Sequence, residues 1–177
     1  YTQSLADGTL MSHLSRHTTH PGDCFFIPAG RIHSIGAGNF LVEIQQSSND
    51  TFRVYDFDRT DAEGNKRELH VAQAREALCY KASDDYLTHY TPQPNACVPL
   101  VDCPQFTTRL YQLDAPTSTD YAAIDSFVIV IAYRGAATLR YDGGSVSLRE
   151  GESVLFPATN NHIEFCPEEG GFEALET

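Results

Sequence analysis

GDCFFIPAGRIH, residues 22–33, and GESVLFPATNNH, residues 151–162, are two versions of one phrase set 129 residues apart. Each has Gly, an acidic residue, four mostly apolar residues, Pro, Ala and, five places after the Pro, a His. Gly ahead of an acidic residue makes a turn into a strand, and the apolar run is that strand. Pro ends it where the sheet no longer needs an N–H, and the loop beyond presents the histidine. Two similar β-barrels are expected from this repeat.

The chain on either side reads the same way. Short apolar runs rich in Val, Ile, Tyr, Phe and Thr, punctuated by 12 Gly and 9 Pro, favour a sandwich or barrel. Residues 40–46 (FLVEIQQ) alternate, with Phe40, Val42 and Ile44 opposite Leu41, Glu43 and Gln45. Further strands are expected at 24–27, 52–57, 106–113, 126–133, 137–142, 145–148, 153–156 and 163–166. A tight hairpin is expected at 141–146, where Gly143 and Gly144 tolerate positive φ. Two stretches read as helical: 8–16, starting at an N-cap Asp7 with Leu10, Met11 and Leu14 on one face, and 68–79, which groups Val71, Ala74 and Leu78. Residues 91–104, with four prolines, read as a connection.

Composition narrows the function. The 177 residues suffice for one ordinary domain or two very small ones, with 41% apolar, 11% aromatic and 20% charged residues. Acidic residues outnumber basic ones 24 to 12, and a net charge of −12 disfavours nucleic acid and anionic membrane surfaces as partners. No run of 18 apolar residues occurs. Five cysteines, an odd number without a CxxC pair, read as buried reduced thiols and hence as a cytoplasmic protein.

The spacing Gly-x5-Pro-x-Gly-x2-His, carried by Gly22, Pro28, Gly30 and His33, resembles the second metal motif of the cupin superfamily of jelly-roll barrels. The second copy keeps Gly151, Pro157 and His162 but has Thr159 for the glycine, and 119–130 offers no histidine. That barrel is expected to be metal-free. From residue 20 to residue 70 the chain resembles type I mannose-6-phosphate isomerase in its short bacterial form. The resemblance implies a zinc-dependent aldose-ketose isomerase interconverting mannose 6-phosphate and fructose 6-phosphate. It makes His33 a zinc (Zn2+) ligand and Arg53 the catalytic arginine, with a small phosphosugar as partner. Arg59, from the basic cluster around Arg53, is a candidate contact to its phosphate, against the alternative of an ordinary strand-end salt bridge.

Those residue types suit the chemistry. Moving a proton between the first two sugar carbons passes through an enediolate, so an oxyanion must be stabilised and a proton shuttled. A metal with an open position polarises the sugar oxygens, and an arginine presents a permanent charge on a planar fork. Arg53, Arg59, Lys66 and Arg67 form a basic cluster that a dianionic phosphate would need.

The pattern departs from the family in two places. Ser-Asp before the arginine is replaced by Ser48 and Asn49, with Asp50 next. The family's other zinc ligands, a Gln-x-His pair and a Glu, and a lysine, lie upstream of this motif. The chain therefore reads as a C-terminal portion whose first barrel is incomplete. Residues 1–60 read as the end of the catalytic barrel, 61–104 as a helical segment and linker, and 105–177 as the complete second barrel. Alone, it is expected to bind zinc weakly, to lack isomerase activity, and to self-associate through open strand edges. The competing reading is a non-catalytic sugar-binding or regulatory bicupin; an iron or manganese oxidoreductase would need three histidines and a carboxylate. His13, His17, His20 and His162 read as ordinary surface histidines. Glu43 and Gln45 are candidate cavity residues. His70 reads as structural, next to a helix cap, in preference to a substrate contact.

Overall fold

The structure, a computed structural model, describes residues 1–48 and 50–177. The chain forms two units, one of residues 1–41 and 47–87, the other of 42–46 and 88–177. The segment 61–104, read from sequence as a region of its own, is thus divided between them. Among the described residues, no helix is long and apolar enough to cross a membrane.

The second unit carries the sheet: β1 (Cys97–Asp102), β2 (Thr107–Leu113), β3 (Thr117–Asp120), β4 (Val128–Tyr141), β5 (Gly144–Arg149), β6 (Ser153–Phe156) and β7 (His162–Glu176). All pairings are antiparallel. β7 runs along the whole of β4, with register shifts between Ala132 and Arg134 and between Gly135 and Ala137. Beyond the shifts the two strands join one group of partners, β5 and β3; before them they join another, β6, β2 and β1. One bent strand pair thus serves both layers of a cupin-type jelly roll. The two strands expected at 126–133 and 137–142 are this single β4, because a bulge bends a strand without ending it.

At the bend only glycine fits. Gly135 has φ +74, and a Cβ there would lie 2.1 Å from the carbonyl oxygen of Gly171. Alternation does the rest: Val130, Ala137, Leu139, Leu148, Phe156, Ile163, Phe165, Phe172 and Ala174 point inward and are almost fully buried. The rings of Tyr111 and Phe165 stack with centroids 4.9 Å apart. Glu176 takes the next inward position after Ala174 and is 3% exposed. Its carboxylate accepts hydrogen bonds from the Tyr111 hydroxyl at 2.9 Å, the Tyr121 hydroxyl and the Arg109 guanidinium at 3.0 Å, which is what a carboxylate in a core requires. The hairpin at 141–146 forms, closed by the Tyr141–Gly144 pair. Gly143 alone of its two glycines uses positive φ. The proline-rich stretch is not a plain connection, since β1 lies within it. Pro99 is tolerated because β1 is an edge strand and shifts register there.

The first unit is mostly irregular. It has α1 (Thr2–Ala6), a 3₁₀ turn at Leu10–His13, α2 (Val71–Ala77) and one bridge between Thr60 and Lys66. The helix expected at 8–16 is displaced. Asp7 closes α1 instead of opening a helix, receives the Gln3 side-chain amide at 2.8 Å, and is followed by Gly8 at φ +69. α2 lies within the expected 68–79, with Ala74 buried and Val71 and Leu78 half-buried. The strands expected at 24–27, 40–46 and 52–57 are not formed. Apolar alternation marks a face, but a strand exists only where a neighbour takes its N–H and C=O groups. The thiols are also less buried than expected: Cys79 and Cys97 are exposed.

The repeat is nonetheless present in the hydrogen bonding. The Asp23 amide donates to the His20 carbonyl and the Asp23 carboxylate accepts from the His20 amide, as Glu152 does with Arg149. The Arg31 amide donates to the Pro28 carbonyl, as Asn160 does to Pro157. Gly22 and Gly151 both have positive φ, at 93° and 85°. The local turns of the phrase are therefore the same in both copies, and only the second copy's apolar run, β6, has a strand partner.

Two outcomes are expected. Gly135→Ala should cost more than about 2 kcal/mol, combining left-handed strain with a backbone clash. Gly143→Ala, whose added Cβ meets nothing, should cost about 1 kcal/mol; urea titrations check the ranking. Burial, and then the Glu176 carboxylate, push the phenols of Tyr111 and Tyr121 far above their ordinary value of 10.0. The stability they contribute is present below that value and lost as pH rises past it. Tyrosinate absorbance should therefore rise together with loss of sheet signal in an alkaline titration.

Candidate functional site

Arg53, Arg59 and His33 all lie in the first unit. Arg53 is held at both ends. Its backbone N–H donates to His70 Nδ1 at 3.0 Å, its carbonyl accepts the His70 N–H at 2.8 Å, and its Nη1 donates to the Glu68 carbonyl at 3.0 Å.

From Asp56 the chain folds back on itself to Arg67. Asp56 is 9% exposed and accepts both arms of the Arg67 guanidinium, the Nε arm at 2.8 Å. This is the two-pronged pairing that arginine geometry favours. Lys66 Nζ sits 2.6 Å from Asp58, and Thr60 bridges to Lys66. Asp61 closes the tip by accepting the amides of Glu63 and Asn65 at 3.0 and 2.7 Å. Phe57 and Asp58 both have φ 54°, a left-handed conformation that costs energy in a residue as bulky as Phe. The Phe57 ring contacts that of Tyr55 at 4.9 Å and lies under the Arg59 guanidinium at 5.4 Å.

The cluster read from sequence as basic is therefore interleaved with carboxylates. Lys66 and Arg67 are each neutralised by an aspartate, whereas Arg53 and Arg59 have no carboxylate within ion-pair distance among the described residues. The hydrogen bonds from Arg67 hold the Asp56 carboxyl below its ordinary value, helped by the charges of Arg67, Arg59 and Arg53 and opposed by burial.

His33 is exposed, and its Nδ1 lies 2.9 Å from the Arg31 carbonyl. A carbonyl only accepts, so Nδ1 is the donor, which leaves Nε2 as the ring nitrogen open to a ligand. Metal-binding histidines use this arrangement. The loop before it is fixed by Gly30, at φ +81, where a Cβ would lie 2.6 Å from the Ala77 carbonyl. The Gly30 carbonyl accepts the Cys79 amide at 2.8 Å. Thr159 holds the matching place in the second copy and is exposed, so no glycine is needed there. Arg31 donates to the Lys81 carbonyl at 2.9 Å and lies over the Tyr86 ring at 5.1 Å.

One histidine does not make a zinc site. Among the described residues no three of His, Cys, Asp and Glu come together as a metal-holding group. The donor set of the described residues does not by itself fit zinc. Of the other candidates, His17 packs edge-on against Phe25 and Tyr86, His20 lies 3.7 Å from Asp23, and His162 is exposed at the start of β7. Glu43 and Gln45 are exposed and fall in the second unit. Asn49 lies outside the described residues; Ser48 Oγ accepts the Asp50 amide at 3.1 Å. Sequence reasoning missed Asp56 as the base of the arginine loop. The signal was there, an aspartate inside the Arg53–Arg67 stretch, but which cation it takes depends on how the loop folds back.

No protein-family model matches the chain. The mannose-6-phosphate isomerase of Streptococcus mutans is 33% identical over 164 residues, covering 92% of this chain and 51% of that protein. Mannose-6-phosphate isomerase ManA of Bacillus subtilis is 30% identical over 146 residues, 81% of this chain and 46% of that protein. The chain thus spans about half the length of the curated relatives it matches. The crystal structure of a Bacillus subtilis mannose 6-phosphate isomerase superposes with a TM-score of 0.58 at 22% identity, over 71% of this chain and 40% of that one. A zinc-bound mannose 6-phosphate isomerase superposes with a TM-score of 0.51 at 20% identity, over 63% and 28%. The sequence identities make the chain a homologue of the mannose-6-phosphate isomerases, matched to about half of such a protein.

Proposed function

We propose that the chain is the part of a zinc-dependent mannose-6-phosphate isomerase that brings Arg53, Arg59 and His33 to the sugar. The observation that supports this most is the charge pattern of the loop: of its four cations, the two without a carboxylate partner among the described residues are Arg53 and Arg59. A guanidinium with no carboxylate within ion-pair distance, and fixed by a backbone carbonyl as Arg53 is, is available to an incoming anion without first breaking an ion pair. Arg53 stabilises the oxyanion of the enediolate, and Arg59, on the strained Phe57–Asp58 turn, takes the phosphate. In the whole isomerase His33 would be one of the residues that hold the zinc, through Nε2. The thiols at Cys79, Cys97, Cys103 and Cys166 favour a reducing, cytoplasmic setting.

The test is a chimera in which this chain replaces the matching half of the Streptococcus mutans isomerase, assayed by coupled conversion of fructose 6-phosphate. Arg53→Ala should lower kcat by about 100-fold or more with zinc content unchanged, and Arg59→Ala should raise KM by about tenfold with kcat little changed. The 177-residue chain alone should show no turnover. Unchanged kcat in Arg53→Ala sinks the catalytic assignment, and sugar binding without turnover by the wild-type chimera favours the regulatory bicupin instead. A separate outcome concerns the arginine loop. Because the Asp56 carboxyl is held low, its contribution to stability is present above about pH 4 and is lost as pH falls through its folded value. Asp56→Asn should therefore flatten the acid-unfolding profile of the first unit, followed by amide hydrogen exchange of residues 56–67.

A further inference from the structure

We propose that His70 is the positioning residue for Arg53, and that it works through the lone pair of Nδ1, as the neutral tautomer protonated on Nε2. The proposal rests on the catalytic reading of Arg53 and adds to it a residue that never touches the sugar.

The geometry is a clamp. His70 accepts the Arg53 N–H on its ring at 3.0 Å and donates its own N–H to the Arg53 carbonyl at 2.8 Å. A side chain and a main chain of one residue thus hold both polar groups of one peptide position. The guanidinium is tied to the same segment, two residues earlier, at the Glu68 carbonyl. A backbone amide has no role but donor, so Nδ1 must be unprotonated; a ring turned to present N–H, or an imidazolium, loses the bond. The segment 52–57 is in no strand, so no ladder holds Arg53 in place of His70. The Phe52 ring, with its centroid 6.3 Å from the imidazole, packs beside it.

His70 is also where α2 begins. Its carbonyl accepts the Ala74 amide at 2.8 Å, and the far end of α2 backs onto Gly30 through the Ala77 carbonyl and the Cys79 amide. Arg53 and the loop that carries His33 are therefore attached to opposite ends of one seven-residue helix. A shift of the arginine against that helix changes its distance from whatever His33 holds, and misplacement by about 1 Å costs on the order of 100-fold in rate.

Two measurements test this. In the 177-residue chain, nitrogen-15 spectra of the imidazole should show His70 as the Nε2–H tautomer, with the Arg53 amide protected from exchange. In the chimera, His70→Asn keeps an acceptor oxygen at the Nδ1 position and should retain most of kcat. His70→Leu and His70→Gln, which leave no acceptor there, should lose kcat by about tenfold or more with KM within about threefold. An Nδ1–H tautomer, an unprotected Arg53 amide, or a His70→Leu chimera with normal kcat beside an inactive Arg53→Ala overturns the positioning role alone. Normal kcat in Arg53→Ala overturns the catalytic reading and this proposal with it. Should His70→Leu fail to fold, the Asn and Gln pair and the wild-type tautomer still decide.

Discussion

The pairing of β4 with β7 is the interaction on which the second unit depends. The two strands, 14 and 15 residues long, run side by side, bend together, and supply a partner to every remaining strand except β1. Bending both at one place brings two backbones closer than any side chain permits, which is why Gly135 faces Gly171. Once that corner is made, alternation along each arm faces one set of residues inward, and Phe165, Phe172, Leu139 and Ile163 fill the interior. The burial of each such side chain is worth about 1.5–3 kcal/mol. Glu176 stands at an inward position of the same strand, and its three partners make it tolerable there.

The first unit is organised by other means. With no ladder to order it, the chain from Arg53 to Cys79 relies on ion pairs inside a loop, on side-chain capping of exposed amides, and on α2. Charge pairing here is selective. Aspartates pair with Lys66 and Arg67 inside the loop, whereas Arg53 and Arg59 have no carboxylate within ion-pair distance among the described residues. Loops of this kind have lower local stability than a packed sheet and are where binding residues concentrate.

Reading the sequence failed and succeeded for identifiable reasons. The strands at 106–113, 145–148, 153–156 and 163–166 were legible because each has a partner and a buried face. The run at 40–46 alternates as well as any of them, yet Phe40 is 90% exposed, since alternation states only what a strand would do if it had a neighbour. Pro99 argued for a linker, and the edge position of β1 removed the objection. Asp7 looked like the start of a helix because aspartate caps N-termini, but the Gly8 that follows it marks an end.

What the sequence determined by itself is local or inherited. The 129-residue repeat reproduces the same turn hydrogen bonds in both copies because donors and acceptors three residues apart need nothing but their own chain. The face of α2 follows from residue spacing, and kinship with the isomerases from accumulated identities. Tertiary contacts set which apolar runs became strands, which two of the four cations lack an ion pair among the described residues, and which backbone group the ring of His70 faces. Each of those depends on a partner distant along the chain, and residue order does not state which distant groups meet.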